Sequence, residues 1–294
     1  MTYEPKNAFD AFAIRIVPDV DPITMTQPLG TRVVDHRGLV DLPALMVLFD
    51  DLGGLPFALA DRTTSSLQAR LTVSSGARPA RTDVLRGDSR LTMSDEGLGS
   101  TRVDIVRGED AVASGFARSV RVGRAVIGES EVVVGETLPA PDEAELPPPI
   151  DPAFSGADIV AAIADGGLRI GPLAELLGGT IVDPNPEALR FAVPAVAWMG
   201  NFFGTMHGGI IGTIVAQAAS LGVAANMRAG TGYQLVDFTV AFLRSPAVDG
   251  QPVTATATPA KLGRRLSTVD VELRAADGTL LARATADARC DLSG

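Results

Sequence analysis

The chain has 294 residues, 46% of them hydrophobic, enough to bury the cores of two ordinary domains. Acidic residues (35) outnumber basic ones (25) for a formal charge of −10, which argues against non-specific attraction to nucleic acid or anionic lipid. One cysteine, Cys290, excludes an intrachain disulfide framework and makes the cytoplasm the expected compartment; with only two histidines beside it, no metal site is expected.

The opening MTYEPKNAFDAF lacks a basic stretch followed by an apolar core, so no secretory signal is expected there. An extended segment leads to DHRGLVDLPALMVLFDDLGGL, whose apolar run predicts a helix over about 42–60. Pro43, just after Asp41, suits its start, and Pro56 is expected to end or bend it. Two adjacent acids, Asp50 and Asp51, interrupt this run. A buried unpaired carboxylate is costly, so the pair calls for a reason.

Alternating segments LQARLTVS, SRLTMS, STRVDIVR and AVASGFARSVRV then predict four strands. At 136–152, ETLPAPDEAELPPPIDP has a linker composition, placing a boundary between residues 1–135 and 153–294. Residues 153–180 carry two short helical patterns with no evident match earlier in the chain; we expect them to cap a pocket. From 191 to 227 there is no Asp, Glu, Lys or Arg. The stretch is broken by Pro194, His207 and Gly208-Gly209, so a buried helix over about 208–228 is preferred to a membrane span. Strands follow in VDFTVAF, VTATATP, RRLSTVDVELR and GTLLARATADARC.

The two halves run in step. Placing Asp35 over Asn201 aligns DHRGLVDLPALMVLFDDLGGL with NFFGTMHGGIIGTIVAQAASL without a gap, and the same offset of 166 puts Val103-Asp104-Ile105 over Val269-Asp270-Val271. A helix apolar on every side, followed by strands apolar on one side, packs as a curved antiparallel sheet wrapped around the helix. The expected class is therefore α+β, with two such units joined edge to edge into one continuous pseudo-dimeric sheet.

The NxxGxxHGG pattern Asn201, Gly204, His207, Gly208, Gly209, followed by VDFTVAFLRSPA, KLGRRL and DGTLLARAT, resembles the PaaI-type acyl-CoA thioesterases of the hotdog fold. The resemblance implies two hotdog units and a site shared between units. One unit supplies the Asn and the HGG helix start, and the other an acid nine residues after the His position. Here that position in the second repeat is Ala216, whereas the aligned residue in the first repeat is Asp50; the first repeat conversely has Asp41, Leu42, Pro43 in place of the HGG element. One composite site is expected, from Asp50 with Asn201, His207, Gly208 and Gly209, and a dead mirror image at Asp41 and Ala216.

Helix-start N–H groups would hold an oxyanion, with glycine allowing close approach. Asp50 would act as base or nucleophile; Asn201 and Gln68 would orient water. His207 is expected to shape the helix start. Arg244, Lys261, Arg264 and Arg265 are the candidates for binding the phosphates of coenzyme A, which enters as part of the substrate, with no separate cofactor. His36 reads as a loop histidine. Asp51 stands as a neighbour of the site or a solvent-facing residue. The alternative is a hotdog protein that binds acyl-CoA without turnover. A homodimer of double-hotdog chains is the candidate assembly, with neither nucleic acid nor membrane as partner.

Overall fold

The computed structural model describes residues 4–123, 135 and 144–293, so residues 136–143 of the expected linker lie outside the described residues. In chain order the first half holds α1 (Ala8–Ala11), β1 (Arg15–Val17), β2 (Ile23–Pro28), α2 (Met46–Ala60), β3 (Ser65–Ser75), β4 (Val84–Ser94), β5 (Leu98–Arg107) and β6 (Asp110–Val122). The second holds α3 (Gly156–Ala164), α4 (Pro172–Leu176), β7 (Thr180–Asp183), β8 (Leu189–Pro194), α5 (Gly208–Ala225), β9 (Thr231–Phe242), β10 (Pro252–Lys261), β11 (Leu266–Ala275) and β12 (Leu280–Ser293).

The strands form one antiparallel sheet in the order β1-β2-β4-β5-β6-β3-β9-β12-β11-β10-β8-β7. This order is a palindrome under the offset of 166. Strand β2 begins at 23 and ends at 28, and β8 at 189 and 194, each exactly one offset later (189 − 23 = 194 − 28 = 166). The halves meet where β3 pairs with β9, Leu71 facing Val240 and Thr72 facing Thr239, so neither strand is left as an edge. Each half adds an outer pair, β1-β2 or β7-β8, to the four strands expected from alternation. These short segments precede their helices and carry too few residues for a period to show.

Both long helices lie inside the sheet's curve. On α5, Ile210, Ile214, Val215, Ala216, Ala218 and Leu221 are fully buried, and although among the described residues two helices are long and apolar enough to cross a membrane, 94% of this one is buried inside the protein. Helix α2 is entered through a 3-10 turn, Leu42–Leu45, whose first N–H donates to the Asp41 side chain. It then runs on through Pro56 to Ala60, so of the two expectations for this proline, to end the helix or to bend it, the first does not hold. The two helices touch where glycine removes the side chain: a Cβ at Gly209 would lie 2.6 Å from the Val47 Cα.

Two sequence readings of the flanking segments change. Helix α4 does have a counterpart, because α1 overlaps it at the same offset, Ala8 falling under Ala174 (174 − 8 = 166), and both alanines are fully buried. Helix α3 packs on the end of α5, with Gly156 donating to the Met227 carbonyl, and nothing from 153–180 caps the cavity described below. His36 lies in a loop but is buried, 2% exposed, and burial pushes it down to about 4.

Candidate active site

The loop before α5 is built by one side chain. Asn201 Oδ1 accepts from the N–H groups of Phe203 (2.9 Å) and Thr205 (3.2 Å), and the turn closes through Gly204 at φ +73°. Its pseudo-symmetric partner uses the same bonds: Asp35 Oδ1 accepts from Arg37 N and Leu39 N, with Gly38 at φ +74°. Such a left-handed turn favours glycine in both repeats. Because the Asn201 carbonyl is committed to the turn, its Nδ2 amide is the group it can offer a ligand, and the residue lines a cavity of about 480 Å³.

His207 caps α5: its Nδ1 accepts from the Gly209 N–H at 3.0 Å. The Gly208 N–H belongs to the first helical turn, where amides have no intrahelical acceptor, and this residue also lines the cavity. Opposite stands Asp50, from the middle of α2. A Cβ at Gly208 would lie 2.7 Å from Asp50 Oδ2, and His207 Nδ1 is 3.4 Å from the same oxygen. The acid of the first repeat and the helix start of the second are thus in contact.

Asp50 is 3% exposed and its Oδ1 has no hydrogen-bond partner among the described residues. Burial raises its carboxyl to about 7, against the opposing pull of His207 and the Gly209 N–H, while Asp51 adds a further upward push. Gln68 is held by a 2.6 Å bond from its Nε2 to the backbone carbonyl of Asp50, so it is fixed to the helix rather than to the carboxylate. Asp51 faces the site: its Oδ1 is 3.1 Å from His207 Nε2. Ligand atoms of Asp50, Asp51 and His207 fall within 4.8 Å of one another. Both ring nitrogens of His207 are engaged by the protein, Nδ1 by the Gly209 N–H and Nε2 by Asp51 Oδ1.

The lining orders the cavity from floor to mouth. Phe9 and Met25 are buried at the floor, while Leu59, Arg62, Leu243 and Arg244 are exposed at the mouth. Of the four basic residues expected there, only Arg244 lines it, with Nη1 donating to the Leu280 carbonyl at 3.3 Å. Lys261, Arg264 and Arg265 are exposed at the far end of the β10-β11 hairpin. Arg244 N bonds Leu281, Leu280 pairs Arg274, and Arg274 pairs Thr254, seven residues and roughly 23 Å along β10 from Lys261. The reason is topological. The hairpin flanks the C-terminal part of α5, where Gly222 meets Ala257, and its counterparts beside α2 are Asp95, Leu98 and Gly99 (261 − 95 = 264 − 98 = 265 − 99 = 166), none basic. Arg62, which no motif marks, takes the mouth position instead.

The mirror-image position is filled. Tyr233 stands where the cavity has Leu67 (233 − 67 = 166), and its hydroxyl bonds Ser220, the counterpart of Gly54 (220 − 54 = 166). The Arg37 guanidinium, in place of Phe203, lies 3.7 Å over the Tyr233 ring and is paired with Asp35 and Asp41.

Comparison with known proteins agrees with this architecture. Residues 203–282 match the family model described as the thioesterase superfamily. A protein of Deinococcus radiodurans named "Putative esterase" is 35% identical over 101 residues, which are 34% of this chain; the chain spans 66% of that relative's length. A hotdog-fold protein of unknown function from Alicyclobacillus acidocaldarius superposes with a TM-score of 0.61 at 14% identity, covering 97% of both chains. The tesB protein of Mycobacterium avium subs paratuberculosis gives 0.60 at 6% identity, over 95% of this chain and 96% of that one. Whole-chain coverage shows the double-hotdog fold.

Proposed function

We propose that this double-hotdog chain, whose second repeat matches the thioesterase superfamily, hydrolyses acyl-CoA thioesters at one composite site between its repeats. The match supports thioester hydrolysis as the reaction. The observation that carries the reading is the contact of Asp50 with the Gly208 helix start at the wall of an apolar cavity.

In this reading the acyl chain lies toward Phe9 and Met25, and the phosphorylated thiol leaves through the mouth past Arg62 and Arg244. The thioester oxygen faces the Gly208 N–H, which with the α5 dipole stabilises the oxyanion. Water between Asp50 Oδ1 and the carbonyl carbon gives its proton to Asp50 as a C–O bond forms. Collapse of the tetrahedral intermediate breaks the C–S bond, and the proton returns to the departing thiolate. Burial suits Asp50 to this role, because a carboxylate titrating near 7 is a far better base than one near 4.

The test is release of free thiol from a panel of acyl-CoAs, with Asp50→Asn as control. An enzyme loses turnover and keeps acyl-CoA binding in the variant; binding without turnover in the wild type as well overturns the assignment.

A further inference from the structure

Among the groups of the composite site that the hydrolysis reading does not use, one is an acid. Asp51 sits beside the proposed base, half-buried with a 14% exposed side chain, and reaches across the repeat boundary to the imidazole that caps α5. Its counterpart in the second repeat is Gln217, so the charge at this position is peculiar to the half that supplies the acid (217 − 51 = 166).

The contacts of the two His207 ring nitrogens point to where its proton lies. Nδ1 accepts from the Gly209 backbone N–H, which an unprotonated ring nitrogen alone can do. A neutral imidazole then carries its hydrogen on Nε2, and that nitrogen is 3.1 Å from Asp51 Oδ1, an acceptor with no hydrogen to give. We propose that Asp51 is a positioning residue: by accepting the Nε2 hydrogen it locks His207 in the tautomer that turns a lone pair, rather than an N–H, toward Gly209 and Asp50.

The alternative tautomer shows what the lock prevents. With its hydrogen on Nδ1, His207 would confront the Gly209 N–H donor with donor, removing the cap, and would donate instead to Asp50 Oδ2, 3.4 Å away. A carboxylate that accepts such a bond is held in its charged form and is a weaker base. Asp51 therefore protects both halves of the site at once, the N-terminal geometry of α5 and the basicity of Asp50. Its negative charge pushes Asp50 in the same direction through space. The other charged side chains lining the cavity are Arg62 and Arg244, at the mouth.

This inference rests on the hydrolysis reading for its consequence, yet its core is testable without turnover. Nitrogen-15 shifts of His207 in the wild-type protein should show a hydrogen-bearing Nε2 and a bare Nδ1. In Asp51→Asn, whose amide can also donate to Nε2, the Nδ1–H form should become populated. In the same variant kcat should fall about 10-fold or more with KM little changed, and the acidic limb of the pH–rate profile should move to lower pH. Asp51→Glu, which keeps the acceptor, should recover part of the rate and the wild-type tautomer. A hydrogen on Nδ1 in the wild type, or an acidic limb that does not move in Asp51→Asn, overturns the proposal. Turnover that survives Asp50→Asn would instead overturn the role of Asp50 as base, and acyl-CoA binding without turnover in the wild type would overturn the hydrolysis reading; either leaves the tautomer result standing.

Discussion

The Asp50 carboxylate and the Gly208 α-carbon are so close that a methyl group cannot be placed between them: a Cβ at Gly208 would lie 2.7 Å from Oδ2 and 3.0 Å from Oδ1. Gly208→Ala must therefore displace the carboxylate, the helix start, or both. The fold has no other stake in this glycine, because its φ lies outside the left-handed region. Thermal unfolding should be nearly that of the wild type while kcat falls on the order of 100-fold, the cost of a misplaced oxyanion donor. Wild-type turnover in a folded Gly208→Ala protein would remove this helix start from the chemistry.

The raised carboxyl of Asp50 has opposite effects on activity and stability. As the proposed base it would work deprotonated, so kcat/KM should rise with pH through an apparent value of about 7 and then level. For folding, the native state binds this proton more tightly than the unfolded chain, whose aspartates titrate near 3.9. Asp50 thus contributes stability that is fully present below about 4 and is lost as pH rises through about 7. Asp50→Asn, which mimics the protonated acid, should abolish turnover, raise the melting temperature at pH 8 and change it little at pH 4. Equal effects at the two pH values would contradict a buried, proton-binding Asp50.

Much of this arrangement was legible in the residues. Asp50 stands out as a carboxylate in a run fit only for the interior, the offset of 166 aligns it with Ala216, and it is the resemblance to the PaaI-type family that sets it against the amide-rich helix tip of the other repeat; the shared turns at Gly38 and Gly204 show that offset acting on the backbone itself. Of the residues expected to bind phosphate, Lys261, Arg264 and Arg265 lie away from the cavity, although their KLGRRL segment belongs to the same repeat as the helix that begins there. The sheet wraps so that this hairpin serves the opposite end of α5, and the mouth draws on the first repeat through Arg62. Asp51 and Tyr233 act through contacts separated by 156 and 13 residues, which no local period encodes. His36 looked like an ordinary loop residue, yet a Cβ at Gly171 would lie 2.4 Å from its backbone nitrogen, so the segment after α3 covers it.

The filled half-site should be structural. Arg37 holds Asp35 and Asp41, both about 5% exposed or less, and donates to the Tyr233 carbonyl at 2.6 Å. Arg37→Met leaves Asp35 without its guanidinium and Asp41 with Arg78 alone at 3.5 Å. Removing one partner of a buried pair typically costs about 3–5 kcal/mol. Denaturant titration should show a loss of this size, with kcat and KM of the folded fraction unchanged.

The same filling predicts that the mirror-image position cannot be made into a site by supplying the chemistry alone. In an Asp50→Asn background, Ala216→Asp together with Asp41→His, Leu42→Gly and Pro43→Gly would rebuild acid and helix start in the mirror position. The substrate would still have no room, because the Tyr233 ring is 2% exposed under the Arg37 guanidinium, where the open cavity has Leu67 and Phe203. Ala216 is itself fully buried, so the grafted carboxylate would also lack solvent or a partner until a cavity forms beside it. The grafted protein should be as inactive as Asp50→Asn, and turnover should need Tyr233→Leu and Arg37→Phe as well. Recovery of thioester hydrolysis by the four-residue graft alone would show that space, as opposed to chemistry, was never what closed the second site.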